Sequence, residues 1–208
     1  MTYTRLFIDK TVDLARTLLS FGLIERVTHH EDGVTNETDT THTVMLGVMA
    51  CAFARDHAPH LDIGKVAQFA LVHDLVEIYA GDTNTFARGG VSHEDKADRE
   101  KKAVETIREK FGDTYPWLPE TIEEYETLSL PEARYVKVFD KILPKLTHLI
   151  NGGATVSELG HDGESLKNWL RTQLEKIETT YGHDQEEVLS LYRAFAVELQ
   201  LFIDEKNI

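Results

Sequence analysis

The sequence has little cysteine, little basic charge and no long apolar run. Its single cysteine, Cys51, excludes an intramolecular disulfide, which is typical of a protein in a reducing cytoplasm. Cys51 lies in the apolar run VMLGVMACAFA, so we interpret it as a small core residue rather than a reactive thiol. No stretch reaches the roughly 18 apolar residues of a membrane span, and the first residues lack a signal-peptide pattern. We expect a cytoplasmic protein without a membrane segment.

The balance of charges disfavours two classes of partner. Lysine and arginine total 22 against 36 aspartate and glutamate residues, which gives a net charge of −14. A chain this acidic is not expected to present the broad basic face that holds duplex nucleic acid, and an anionic membrane surface would repel it. A small anionic substrate stays compatible, because a bound cation can reverse the electric field inside one pocket.

Apolar residues recur at helical spacing along nearly the whole chain. Leu14, Leu18 and Phe21, for example, fall on one face of a helix. The nearly continuous apolar stretch 41–56 predicts a central buried helix, with its N-cap among the polar residues 39–41. The periodicity predicts helices over residues 5–21, 41–56, 63–80, 94–111, 119–129, 131–150, 164–180 and 184–205.

The predicted helices define an all-α fold. Segments 22–40, 81–95 and 151–163 are rich in turn-forming or polar residues and are predicted as loops. Pro131 suits the first turn of its helix, whereas Pro144 is expected to kink the same helix. We find no strand alternation and no internal repeat. With 208 residues, the chain is expected to form one domain.

Four ionisable residues, His73, Asp74, Glu77 and Asp82, lie in the otherwise apolar stretch ALVHDLVEIYAGD at positions 70–82. His73 and Asp74 are adjacent, and Glu77 follows His73 by four residues, so a continuous helix would place His73 and Glu77 on one face. A buried charge is costly unless it is paired, hydrogen-bonded or bound to a metal. His and Asp are both competent ligands for a first-row divalent metal.

Two further residues could complete a metal site with His73 and Asp74. His42 lies at the start of an apolar helix, and Asp140 lies on the stripe of YVKVFDKIL that should face the core. Each residue alone has an ordinary interpretation: a single histidine is more often a core residue, and Asp140 is flanked by lysines with which it could pair. Two imidazoles and two carboxylates, all in apolar helices, favour a metal that activates a water at neutral pH.

The order of these motifs resembles the HD-domain metal-dependent phosphohydrolases. FALVHDLVEIYAGDT is similar to the central motif of the subgroup that contains bacterial 5′-deoxynucleotidases and their eukaryotic relatives. ETDTTHTVMLGVMA resembles that subgroup's first-ligand helix, and EARYVKVFDKI resembles its last-ligand helix. The resemblance covers about residues 20–150 and implies a single HD-domain helical bundle, with additional C-terminal helices over 164–205 packed on it.

The resemblance also implies a role for each matching residue. Glu77 would be the general base or acid, Asp82 would contact the substrate or its leaving oxygen, and Arg26 would bind the phosphate. Val27 follows Arg26 where the deoxynucleotidases usually carry a tryptophan, so the nucleotide preference is open. Relatives of this kind tend to be homodimers. The residues expected to bind one divalent ion, which could be Mn, Co, Mg, Fe or Zn, are His42, His73, Asp74 and Asp140.

The leading hypothesis is a phosphohydrolase that removes the 5′-phosphate from (deoxy)nucleoside monophosphates. The first alternative is a (deoxy)nucleoside triphosphate hydrolase that releases tri- or pyrophosphate. It would need further cations, for which candidates are Arg88, Lys96, Lys137 and Lys141. The second alternative is a non-catalytic regulatory module. A two-iron oxygenase is disfavoured, because only His93 lies between the His-Asp pair and Asp140 as an additional histidine ligand.

Overall fold

The computed structural model describes residues 2–81 and 93–206. Within these ranges the chain forms eleven helices and one two-stranded sheet, which confirms the predicted all-α class apart from that sheet. No described helix has both the length and the apolar content needed to cross a membrane. In chain order the elements are α1 (Arg5–Phe21), β1 (Glu25–His29), β2 (Asn36–Thr38), α2 (Asp39–His57), α3 (Ile63–Val72), α4 (Glu77–Ala80), α5 (His93–Phe111), α6 (Trp117–Glu126), α7 (Pro131–Asp140), α8 (Leu143–Ile150), α9 (Ala154–Glu158), α10 (Gly163–Thr180) and α11 (Glu186–Lys206).

The segment 22–40, predicted as a loop, contains an antiparallel hairpin. Glu25 pairs with Thr38 and His29 with Asn36, and the register between these pairs is irregular. Strands this short carry too little alternation to be recognised from sequence. The hairpin leads directly into α2, whose N-cap is Thr38 rather than one of the predicted residues 39–41. The Thr38 hydroxyl accepts a hydrogen bond from the backbone N–H of Thr41 at 3.2 Å.

Two predicted continuous helices are interrupted. The segment 63–80 breaks after Val72 and resumes at Glu77, although it contains no proline and only one glycine, Gly64, near its start. The segment 131–150 breaks at residues 141–142, before the proline that was expected to kink it. Pro131 opens α7 as predicted, and Pro144 lies in the first turn of α8, where its missing N–H costs nothing. The predicted loop 151–163 contains the short helix α9.

Helix α2 is buried on only one face, so its predicted central position is wrong. Leu46, Ala50 and Ala54 are fully buried and pack in the main core, where α2 contacts α3 and α7. On the opposite face Val44 is 57% exposed and Val48 is 66% exposed. The apolar composition of this helix therefore reflects a buried face together with a second, exposed apolar face.

The C-terminal helices pack on α7 and α8, and a buried lysine joins them. The Lys145 ammonium donates to the carbonyl of Lys141 at 2.8 Å and to the side-chain oxygen of Gln173 on α10 at 2.9 Å. It also lies 3.9 Å from the ring centre of Tyr192 on α11. Burial holds the pKa of Lys145 well below its usual value. These polar contacts anchor α10 and α11 to the helices that follow Asp140.

A second buried basic residue, His148 on α8, predicts how stability depends on pH. Burial, followed by the charge of Lys145, lowers the pKa of His148 from 6.5 to about 3. The unfolded chain therefore binds a proton at this residue below pH 6.5 that the folded chain does not, and stability falls as the pH decreases from 6.5 towards 3. At pH 5 this one residue is expected to reduce the free energy of unfolding by about 2 kcal/mol.

Urea unfolding of the wild type and His148→Gln at pH 7.5 and pH 5 measures this contribution. The wild type should lose about 2 kcal/mol more than the variant between the two pH values. His183→Gln changes an exposed histidine and should keep the wild-type dependence. An equal loss in wild type and His148→Gln would contradict the prediction.

Candidate active site

The break between α3 and α4 turns the His-Asp pair into the interior. Nδ1 of His73 lies 2.8 Å from the carbonyl oxygen of Ala70 and donates a hydrogen bond to it. In a continuous helix this carbonyl would accept from the backbone N–H of Asp74 instead. The backbone N–H of Glu77 donates to the carbonyl of Asp74 at 2.9 Å, an i→i+3 bond typical of a tight turn. With three residues per turn, Asp74 and Glu77 come to one side of the chain.

The four residues predicted as metal ligands converge from three parts of the chain. His42 comes from the first turn of α2, His73 and Asp74 from the turn after α3, and Asp140 from the end of α7. One side-chain nitrogen or oxygen of each lies within 4.8 Å of the others. Nε2 of His42 is 2.9 Å from Oδ1 of Asp140, and Nε2 of His73 is 2.9 Å from Oδ2 of Asp74.

The donor set fits a divalent cation. Nε2 of His73 is buried and makes no well-formed hydrogen bond with a described residue, although it lies close to Asp74. In the neutral imidazole Nδ1 of His73 carries the proton that it donates to Ala70, so Nε2 offers a cation a lone pair directed into the cluster. Two imidazole nitrogens and two carboxylates in a buried cluster suit a first-row metal.

A buried glutamate to which the sequence analysis assigns no role lies beside His42. Glu37 on β2 is buried, and its carboxylate lies 3.8 Å from Nδ1 of His42. The same carboxylate accepts a hydrogen bond of 2.6 Å from the hydroxyl of Thr28 on β1. A carboxylate beyond the ring is a common neighbour of a metal-binding histidine. Glu37 therefore lies beside Nδ1 of His42, while Nε2 of the same ring lies 2.9 Å from Asp140.

The ionisable groups of the cluster shift one another's pKa. Burial opposes charge on both His73 and Asp74, but their mutual attraction outweighs it, so the pKa of His73 is raised and that of Asp74 is lowered well below 3.8. Burial likewise opposes the charge on Asp140, and Lys141 and His42 nevertheless hold the pKa of Asp140 well below its usual value. Both carboxylates are therefore ionised at neutral pH and available to bind a cation.

Arg26 on β1 lies against the edge of this cluster. Its Nη1 donates to Oδ2 of Asp74 at 2.8 Å and to Oδ1 of Asp39 at 3.0 Å. Oxygens of Asp39, Asp74 and Glu77 lie within 4.8 Å of one another, so three buried or half-buried carboxylates surround one guanidinium. Burial opposes the charge of Arg26, but the surrounding acids raise its pKa above the usual value.

The structure thus places six of the seven predicted site residues together, and the seventh, Asp82, lies outside the described residues. The sequence analysis assigns Asp39 only a possible capping role and gives no role to Glu37. The available signal is the pair of acids in the short polar segment ETDTT just before His42. His29 on β1 lies 3.1 Å from the carboxylate of Glu158 on α9.

An aromatic ring and two lysines lie near the cluster. Tyr125 on α6 is buried, and its ring meets the ring of His73 edge-on at 6.5 Å, so Tyr125 packs in the core beneath the cluster. The Lys137 ammonium lies 5.2 Å from the centre of that tyrosine ring. The Lys141 ammonium donates to Oδ2 of Asp140 at 2.6 Å.

Comparison with known proteins shows the family to which the chain belongs. The sequence model of the HD domain family matches residues 23–182, well over half of the chain, and the chain belongs to this family. It is 32% identical over 136 residues to 5′-deoxynucleotidase HDDC2 of Bos taurus and to that of Homo sapiens; each match covers 61% of this chain and 64% of the relative. The Mus musculus protein of the same name is 33% identical over 106 residues, about half of each chain.

The fold has a solved counterpart of nearly the same extent. A predicted metal-dependent phosphohydrolase from Magnetospirillum magnetotacticum superposes with a TM-score of 0.73, over 94% of this chain and 95% of that protein. The two are 24% identical in sequence, so this likeness concerns the fold. The aligned part of the chain spans less than two thirds of the length of the HDDC2 proteins.

Proposed function

We propose that this protein is a metal-dependent phosphohydrolase that removes the 5′-phosphate from deoxynucleoside monophosphates. The observation that carries the proposal is the convergence of His42, His73, Asp74 and Asp140 within 4.8 Å, with Arg26 hydrogen-bonded to one of them. The HD domain membership and the relatives named 5′-deoxynucleotidase support the same reaction class. This reaction requires a metal ion that acts as a Lewis acid, a base that accepts a proton from water, and a cationic side chain that binds the phosphoryl group.

The chain's own residues divide this chemistry among them. His42, His73, Asp74 and Asp140 would hold one divalent ion, which lowers the pKa of a water and neutralises phosphoryl charge when bound. Glu77, whose carboxylate lies beside that of Asp74, accepts the proton from the attacking water. Arg26 donates to a phosphoryl oxygen and so favours the charge that develops during transfer. Asp82 is proposed to contact the leaving oxygen.

The triphosphate hydrolase is supported less well. Of its candidate cations, Lys141 pairs with Asp140 and Lys137 lies against the Tyr125 ring, so neither extends towards a polyphosphate tail. Arg88 lies outside the described residues, as does the side chain of Lys96. A non-catalytic module is disfavoured because a decayed site would have lost ligands, whereas the four ligands are present together with the candidate base.

A substrate panel tests the proposal. Metal-stripped protein, resupplied with Mn²⁺, Co²⁺ or Mg²⁺, is assayed for phosphate release from ribo- and deoxynucleoside 5′-monophosphates and triphosphates. Metal-restored release of inorganic phosphate from deoxynucleoside monophosphates is expected. Tripolyphosphate or pyrophosphate release from triphosphates would establish the alternative, and no turnover with any metal would overturn the hydrolase assignment.

We propose further that the protein works in the cytoplasm as a homodimer. The lone cysteine supports the location. The exposed apolar face supports the dimer. Val44 on α2 and Leu71 on α3 line a groove of about 610 Å³ that extends to Leu18 and Trp117, and the exposed Val48 lies one helical turn after Val44. Contiguous apolar surface of this kind marks an interaction site, and a two-fold axis would let the same face cover itself.

Val48→Asp is expected to convert the dimer to monomer, because two carboxylates would be desolvated at the interface. Sedimentation velocity over a range of protein concentrations measures the change. Val197→Asp, at an equally exposed apolar residue on α11, should leave the dimer intact. A wild type that sediments as a monomer at every concentration would contradict the proposal.

A further inference from the structure

Asp39 is a buried acidic residue whose charge needs a compensating partner. It is fully buried at the first residue of α2, three residues before His42. Removing an ionised carboxylate from water is costly unless a cation compensates it. Arg26, whose Nη1 lies 3.0 Å from Oδ1 of Asp39, compensates part of this cost, although burial still raises the pKa of Asp39 above its usual value. The ion pair joins the hairpin strand β1 to the helix that carries a metal-site histidine.

The nitrogens of the Arg26 guanidinium differ in their hydrogen bonds. Nη1 has two hydrogens, and its two hydrogen bonds go to Asp39 and Asp74. Nε and Nη2 make no hydrogen bond with a described residue, and the side chain is 16% exposed. One nitrogen is therefore fixed by two carboxylates while the rest of the guanidinium keeps its donors for another acceptor.

The two carboxylates that hold Arg26 differ in what else they face. Asp74 lies 2.9 Å from His73 and belongs to the cluster that fits a divalent cation, so its charge would be shared with that ion. Asp39 is not part of that cluster, although it lies near Asp74 and Glu77. Once Asp74 shares its charge, Asp39 is the carboxylate that continues to fix Arg26.

We propose that Asp39 is a positioning residue for phosphate recognition, acting through Arg26. It fixes Nη1 of the guanidinium so that Nε and Nη2 are presented to a phosphoryl oxygen in one orientation. Without Asp39, Asp74 would be the one carboxylate still hydrogen-bonded to Nη1 of Arg26, and Arg26 would compete with the cation for that ligand. This inference rests on the proposed function for the identity of the anion, and it concerns binding of the phosphate group itself.

A double-mutant cycle tests the proposal. The affinity of Mn²⁺-loaded protein for inorganic phosphate is measured by isothermal titration calorimetry for wild type, Asp39→Ala, Arg26→Ala and the double variant, together with kcat and KM on the best nucleotide. Asp39→Ala should weaken phosphate binding and raise KM by about tenfold when Arg26 is present, and by less than about twofold in Arg26→Ala. Asp39→Asn keeps an acceptor for Arg26 and should fall between wild type and Asp39→Ala.

The cycle separates positioning from a structural role. Glu132→Gln alters another buried carboxylate, which accepts from the backbone N–H of Asp62, and should leave phosphate affinity unchanged. If Asp39→Ala weakens binding equally with and without Arg26, or not at all, the proposal is wrong. If Asp39→Ala does not fold, the same comparison is made with Asp39→Asn. Phosphate binding with the expected coupling but no nucleotide turnover would uphold Asp39 and overturn the proposed function.

Discussion

Phosphate release is expected to fall by about a thousandfold when either His73 or Asp74 is replaced by alanine, because each change removes a ligand on which the divalent ion depends. The two residues are adjacent in a tight turn and contribute to the same cluster as His42 and Asp140. Bound metal should fall from about one ion per chain to a small fraction of that after gel filtration. Activity and metal content, measured on the same preparations, check the expectation.

Asp56 and His57 provide a matched control for this pair. They are also an adjacent aspartate and histidine, but they are exposed at the end of α2. Alanine at either position should retain wild-type metal content and activity. If His73→Ala and Asp74→Ala keep both metal and turnover, the cluster is not the metal centre and the proposed mechanism fails.

Glu77→Gln is expected to reduce kcat by about 100- to 10,000-fold while leaving the bound metal in place, because the amide cannot accept the proton of the attacking water. Glu77 is buried at the start of α4, and its carboxylate lies within 4.8 Å of oxygens of Asp39 and Asp74. Glutamine keeps the size of the side chain, so the fold and the ligand set should be unaffected. Single-turnover kinetics with parallel metal analysis measure the two effects separately.

An exposed glutamate on α5, Glu105, supplies the control for Glu77. Glu105→Gln should be indistinguishable from wild type in kcat and in metal content. Loss of metal from Glu77→Gln would assign Glu77 to metal binding rather than to proton transfer. Full activity in Glu77→Gln would leave the reaction without this base and would redirect attention to Asp82.

The hairpin before α2 carries residues of the candidate site. β1 carries Arg26, and β2 carries Glu37 beside the ring of His42. Asp39 follows immediately at the start of α2. An extended segment crossing the end of a helix can bring alternate side chains to one surface, which a helix of the same length could not do. The segment predicted as a loop is therefore a structural part of the candidate site.

The sequence by itself determined the class of fold and the ligand candidates. Helical periodicity is local, since it depends on which side chains face the core three and four residues apart, so most helices were predicted close to their observed bounds. His42, His73, Asp74 and Asp140 could be selected because ionisable residues in apolar helices need a partner. Their metal-binding role, the single-domain organisation and the homodimer stay predictions.

Only the tertiary structure decided how these residues meet. No residue near Val72 predicts that the helix ends there. The break depends on the hydrogen bond from the His73 ring to the Ala70 carbonyl, which forms only when the packed interior accommodates the turn. The ion pair between Arg26 and Asp39 joins residues 13 apart, and the contact of His42 with Asp140 joins residues 98 apart. Contacts at such separations depend on chain packing and on the cost of burying charge, neither of which a sequence pattern encodes at one position.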